Sequence, residues 1–156
     1  MRSMPFVLAV LLGTAPAAQA GEQTLKFRMI LADTEAHVFQ ATGVKGAEVS
    51  AHDAIGLAVF DDGRIAFKKF VYLDDSTEVA GGGSGYSTYT FENGDSLTAK
   101  FTYDWSPAGL KGVYDVVSGT GAYAGATGTG SFESVSVPWE GATLEAGSLT
   151  IEVPGT

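Results

Sequence analysis

The chain has 156 residues, with nine Lys and Arg against 18 Asp and Glu and no cysteine. That length suits a single domain, and a net charge of -9 argues against a surface built to neutralise nucleic-acid phosphates. The missing cysteines exclude disulfides, thiolate metal sites and any Cys nucleophile.

From the N-terminus, Arg2 precedes an apolar run from Phe6 to Leu12, and Ala18-Gln19-Ala20 closes the stretch in a small-x-small pattern. This reads as a secretory signal peptide over 1–20, which predicts a periplasmic or extracellular protein whose single β-barrel domain covers 21–156. The apolar run is shorter than the roughly 20 residues a spanning helix needs, and no later segment approaches that length. No membrane span is therefore predicted in the mature chain.

Beyond residue 20, alternation dominates. Leu25, Phe27, Met29 and Leu31 share one face against Thr24, Lys26 and Arg28, the period-2 signature of a strand with one buried side. Further strands are predicted around 37–42, 54–60, 64–73, 85–92, 96–105, 110–118, 129–137 and 143–153. Asp61-Asp62-Gly63 and Asn93-Gly94 mark two hairpins, and Ala80-Gly81-Gly82-Gly83-Ser84-Gly85 is expected to be a flexible loop. With 21 Gly, nearly twice the usual share of about 7%, long helices are not expected. Eight or nine strands at this spacing suit a sandwich or a barrel, and closure removes the exposed edges of one long meander more simply. An all-β, eight-stranded antiparallel up-and-down barrel is the expectation. The 64–73 strand is apolar on both faces, consistent with a homo-oligomer interface or with a β-bulge near Lys68-Lys69 that switches parity.

Gly119-Thr-Gly121-Ala-Tyr123-Ala-Gly125-Ala-Thr-Gly128-Thr-Gly130 is the most distinctive stretch. It formally satisfies a dinucleotide fingerprint, but Gly125, Gly128 and Gly130 forbid the helix such a site requires. A tight turn with Tyr123 pointing back as a plug fits better. Together with the strand from Tyr114, and with Ser131-Phe132 beyond it, this segment resembles the Gly-Thr-Gly-x-[Phe/Tyr]-x-x-Ala-x-Gly turn of the allene oxide cyclase and dirigent superfamily. Thr127 stands where many relatives carry Arg. The resemblance implies an eight-stranded barrel, often oligomeric, that takes an apolar or aromatic small molecule in its lumen without a cofactor. It implies steering of a cyclisation or isomerisation; the alternative is a non-catalytic periplasmic carrier of a hydrophobic ligand, which the same lumen would serve.

Nine Phe, six Tyr and two Trp supply wall material. Phe27, Phe101, Tyr103, Trp105 and Tyr114 lie on alternating strand faces and are the candidate ligand-binding residues, unless they merely fill a closed interior. Asp115, just before the motif, and Glu35, near the end of the first strand, are the candidate catalytic carboxylates. His52-Asp53 is read as an exposed loop, and no G-x-S-x-G elbow announces a serine nucleophile. His37, His52, Asp33 and Glu35 match no metal-site spacing, so no metal is predicted. The ending Glu152-Val-Pro-Gly-Thr156 lacks the terminal aromatic of an outer-membrane barrel.

Overall fold

A computed structural model describes residues 21–136 and 143–155; the predicted signal peptide lies outside them, as does Val137 at the end of the 129–137 strand. Eight antiparallel strands run in chain order: β1 (Gly21–Gln40), β2 (Glu48–Phe60), β3 (Ile65–Ser76), β4 (Gly81–Phe91), β5 (Ser96–Ser106), β6 (Gly109–Thr120), β7 (Thr127–Val135) and β8 (Thr143–Val153). Each pairs with its neighbour, and β1 pairs with β8 from Gly21 opposite Val153 to Leu31 opposite Thr143, closing the barrel as expected. Closure leaves no free edge over this length.

The segments 24–31 and 37–42 are not two strands. They belong to the 20-residue β1, whose register against β2 shifts between Asp33 and Glu35. The bulge breaks the clean alternation that sequence reading relies on. Past Leu31, β1 pairs only with β2 among the described residues, while the ladder of β2 with β3 runs on to Glu48 opposite Ser76.

The predicted flexible loop at 80–85 is instead the start of β4, with Gly81, Gly83 and Gly85 opposite Trp105, Tyr103 and Phe101 of β5. A Cβ at Gly83 would lie 2.8 Å from the Tyr103 hydroxyl, and one at Gly85 2.8 Å from Phe101 Cζ. These glycines make room for rings, which is why a strand carries a composition usually read as a linker.

In β3, Ala66, Lys68 and Phe70 are buried while Phe67, Lys69 and Val71 are exposed, and neither ladder of the strand slips. There is thus no bulge at Lys68-Lys69: a lysine sits on the inward face. The two predicted hairpins form, with Phe60 N–H bonded to Arg64 O and Phe91 N–H bonded to Asp95 O, each at 2.9 Å.

The core fills the end of the barrel where β1 begins. Phe27, Phe60 and Tyr89 meet with centroids 5.6–6.4 Å apart, the spacing of tilted aromatic pairs. Tyr123 closes this end as the expected plug, stacked on Phe91 at 4.9 Å and hydrogen-bonded by Arg64, whose guanidinium lies 5.4 Å from the Phe91 centroid. Asp62 holds Arg64 in place through a 2.9 Å bond from Nε. Gly121 and Gly125 adopt φ of 57° and 75°, which lets the short turn reverse and aim Tyr123 inward.

Candidate functional site

The opposite end is open. A cavity of about 350 Å³ enters the lumen there, lined among others by Phe70, Tyr72, Phe101, Tyr103, Trp105 and Phe132, with Lys68 and Glu145 also in its wall. Its volume falls at the lower end of the roughly 300–1,000 Å³ typical of small-molecule sites. Another groove, of about 420 Å³, includes Glu35, Asp53, Val71, Leu73, Tyr86 and Lys100 and lies along the outer face of β1 to β5. The lumen cavity has the buried Lys68 and Glu145 in its wall and is the better candidate.

Alternation explains how charge enters an apolar interior. Lys68 is two residues from both Ala66 and Phe70 on β3, and Glu145 shares the inward parity of Leu149 and Ile151 on β8. Lys68 is 2% exposed and Glu145 5%. The Lys68 ammonium donates to the Tyr114 hydroxyl at 3.0 Å, and Tyr89 donates to the same oxygen at 3.1 Å. It also lies 4.5 Å from the Phe70 ring centroid and 5.3–6.0 Å from those of Tyr89, Tyr114, Phe101 and Phe132, an aromatic cage. No carboxylate contacts Lys68 at ion-pair distance among the described residues, and Glu145 Oε2 is buried without a hydrogen-bond partner.

Burial pulls the Lys68 ammonium down to about 8, with the Glu145 charge opposing the shift. Burial likewise pushes Glu145 above the usual carboxylate range, and Lys68 only partly offsets it. Tyr114 is raised well above an ordinary phenol, first by burial.

Nearer the mouth, Tyr72 donates to Asp33 Oδ1 at 2.9 Å and Tyr103 to Asp74 Oδ1 at 2.7 Å. Both phenols are raised, first by burial and then by these carboxylates. His52 stacks on Tyr72 with centroids 4.4 Å apart and planes 4° from parallel. The expected exposed loop at His52 is therefore corrected: the residue lies within β2 and faces the lumen beside Ser50, its side chain 15% exposed. The bulge in β1 sets Asp33 within reach of it.

Of the candidates named from the sequence, Phe101, Tyr103 and Trp105 line the cavity. Tyr114 is buried and joins it through Lys68, whereas Phe27 packs in the closed half against Phe60 and Tyr89. The two proposed carboxylates are not brought to the site. Asp115 is exposed on the outer face opposite Lys100, because the inward parity of β6 belongs to Tyr114 and Val116. Glu35 is exposed on the outer groove, just past the bulge in β1, 2.9 Å from His37 Nε2. The carboxylates that do line the cavity include Asp33, Asp74 and Glu145. Lys68 and Glu145 left one sequence trace, a charge on otherwise apolar parity; Ser50, His52 and Asp33 left none. Among the described residues no group of three or more His, Asp and Glu is arranged to hold a metal ion.

The closed eight-stranded barrel has solved counterparts. The chain is similar to the pterocarpan synthase dirigent protein GePTS1, with a TM-score of 0.60 and 16% identity over 96% of this chain and 99% of that one. The chain has a dirigent-like barrel fold. The pterocarpan synthase dirigent protein PsPTS1 shares this dirigent-like barrel, at a TM-score of 0.59 and 16% identity over 88% of this chain and 99% of that one. So does a protein of unknown function of the DUF3224 family from Shewanella oneidensis MR-1, at 0.53 and 16% over 88% and 100%. Neither a family model nor a curated protein matches the sequence.

Proposed function

We propose that the protein binds a hydroxyl-bearing aromatic small molecule in the open half of its lumen and steers its cofactor-free cyclisation or isomerisation. The observation that carries this reading is the floor of the cavity, where a caged Lys68 with spare donors stands near Glu145, whose Oε2 is orphaned. A ligand hydroxyl accepts from the ammonium and donates to the carboxylate, satisfying groups that are costly to bury unpaired. Aromatic walls restrict the conformation of the bound molecule, and Lys68 supplies countercharge where an oxyanion develops. Glu145, raised by burial, is suited to exchange a proton with the ligand. Two proteins of like fold bear the name pterocarpan synthase, which supports the cyclisation reading at the level of fold.

Calorimetric titration with 2-naphthol tests the binding. One site per chain is expected, weakened about 10- to 150-fold in Lys68→Met and in Glu145→Gln, the value of one hydrogen bond to a charged group. Absence of saturable binding, or equal affinity in all three proteins, defeats the reading. A carrier would use the same cavity, and the two roles separate on whether a compound extracted from the native protein is returned unchanged.

The Met1–Ala20 pattern supports placing this activity in the periplasm or outside the cell, and fractionation of the producing cells tests it. The largely apolar interior and the charged outward residues Lys69, Lys100 and Asp115 favour a water-surrounded barrel over a membrane one. The outer faces of β2 and β3 nevertheless carry exposed Ile55, Leu57, Val59, Phe67, Val71 and Leu73, and we propose self-association through this row.

A further inference from the structure

Three side chains at the mouth of the cavity form a chain of contacts that the binding reading does not use. Ser50 and His52 are two residues apart on β2 and therefore share its inward face. Ser50 Oγ lies 2.7 Å from His52 Nε2. On the far side of the ring, Asp33 Oδ2 lies 3.3 Å from Nδ1, an approach too oblique to count as a formed hydrogen bond, and Nδ1 has no other partner. Asp33 is itself tethered, because its other oxygen accepts the Tyr72 hydroxyl at 2.9 Å, and the Tyr72 ring stacks flat on His52. With Nδ1 protonated toward Asp33, Nε2 is left to accept from Ser50, the arrangement that activates a serine. Loose contacts of this kind are common in unliganded sites.

We propose that Ser50 is a nucleophile, with His52 as general base and Asp33 as positioning residue, and that the cavity hydrolyses small aryl esters. Ser50 is 3% exposed, and it lines the cavity with His52, Phe70, Tyr72 and Lys68. Ring walls accept the aryl group. In the first step Ser50 Oγ bonds to the acyl carbon, its proton passes to His52 Nε2, the bond to the aryl oxygen breaks, and the phenol leaves with that proton. Water then gives a proton to His52 and attacks the acyl carbon; the bond to Oγ breaks, the carboxylic acid departs, and the proton returns to Ser50. The proposal rests on an aromatic molecule entering the cavity, so 2-naphthol binding is measured on the same preparations.

The test combines 2-naphthyl acetate turnover with a fluorophosphonate label read by intact mass and peptide mapping. One adduct on Ser50 is expected, absent in Ser50→Ala, and His52→Gln is expected to slow both labelling and turnover about 100-fold or more. 2-Naphthol affinity is measured on Ser50→Ala as well, so that loss of the nucleophile is told apart from loss of the pocket. Asp33→Asn is expected to slow labelling and to move the His52 ring nitrogens, seen by 15N NMR, away from the Nδ1–H tautomer; because it leaves His52 in place it also serves if His52→Gln does not fold. An unlabelled wild-type protein, an adduct elsewhere, or a labelling rate indifferent to His52 and Asp33 overturns the proposal, whether or not 2-naphthol binds.

Discussion

Lys68 shows how one side chain couples the interior to pH. Its folded value of about 8 lies below the 10.5 of a free lysine, so the unfolded chain binds more protons between these values. Stability contributed through this group therefore rises as pH increases from about 8 toward 10.5. Tyr89 and Tyr114 act in the opposite sense but only above pH 10, where the unfolded phenols ionise and the buried ones do not. Thermal unfolding of the wild type compared with Lys68→Met should show the wild type gaining about 1–3 kcal/mol on the variant between pH 7.5 and 9.5. A difference that stays flat across that interval would mean that Lys68 is not buried as a cation. The parity of β3 is visible in the sequence, yet its two apolar faces fit either an oligomer interface or a bulge near Lys68-Lys69, and neither reading puts an ammonium in the interior, where burial is ordinarily costly. Five surrounding rings and the Tyr114 hydroxyl change that balance.

At the scale of the element, β4 is the informative case. Its inward glycines are spacers for the rings of β5, and a side chain there meets backbone as well as ring: a Cβ at Gly85 would lie 2.1 Å from Val71 O and 2.7 Å from Tyr72 Cβ. Backbone cannot step aside without parting β3 from β4. Gly85→Ala is accordingly expected to lose about 1–3 kcal/mol in urea unfolding, whereas Ser84→Ala, on the exposed face next door, stays within about 0.5 kcal/mol. Equal stability of the two variants would refute the spacer role. The bulge in β1 works in the other direction, adding reach where β4 removes bulk. It ends the alternation after Asp33 and brings that carboxylate to His52 and Tyr72.

On the scale of the whole molecule, closure divides the lumen into a packed half and an open half, each with its own chemistry. Arg64 and Tyr123 seal one, and the other ends on Lys68 and Glu145. The outside is divided too, with an apolar row on β2 and β3 set against charged strands elsewhere. Leu57 faces Phe67 across the ladder, so the pair Leu57→Lys and Phe67→Lys interrupts the row at its middle without touching the lumen. Sedimentation should show the wild type heavier than one chain and the double variant at one chain with 2-naphthol affinity unchanged; a monomeric wild type would end the self-association reading. Strand number, hairpins, the Tyr123 turn and the inward placement of Phe101, Tyr103 and Trp105 were all legible in the sequence, because alternation, turn chemistry and glycine spacing act over a few neighbouring residues. The contents of the site were decided only by the tertiary structure. Asp33 reaches His52 from another strand, Lys68 meets Tyr114 across 46 residues of chain, and Asp115, promising by its neighbours, turns outward. Contacts between distant segments depend on how the sheet closes, and local periodicity carries no record of that.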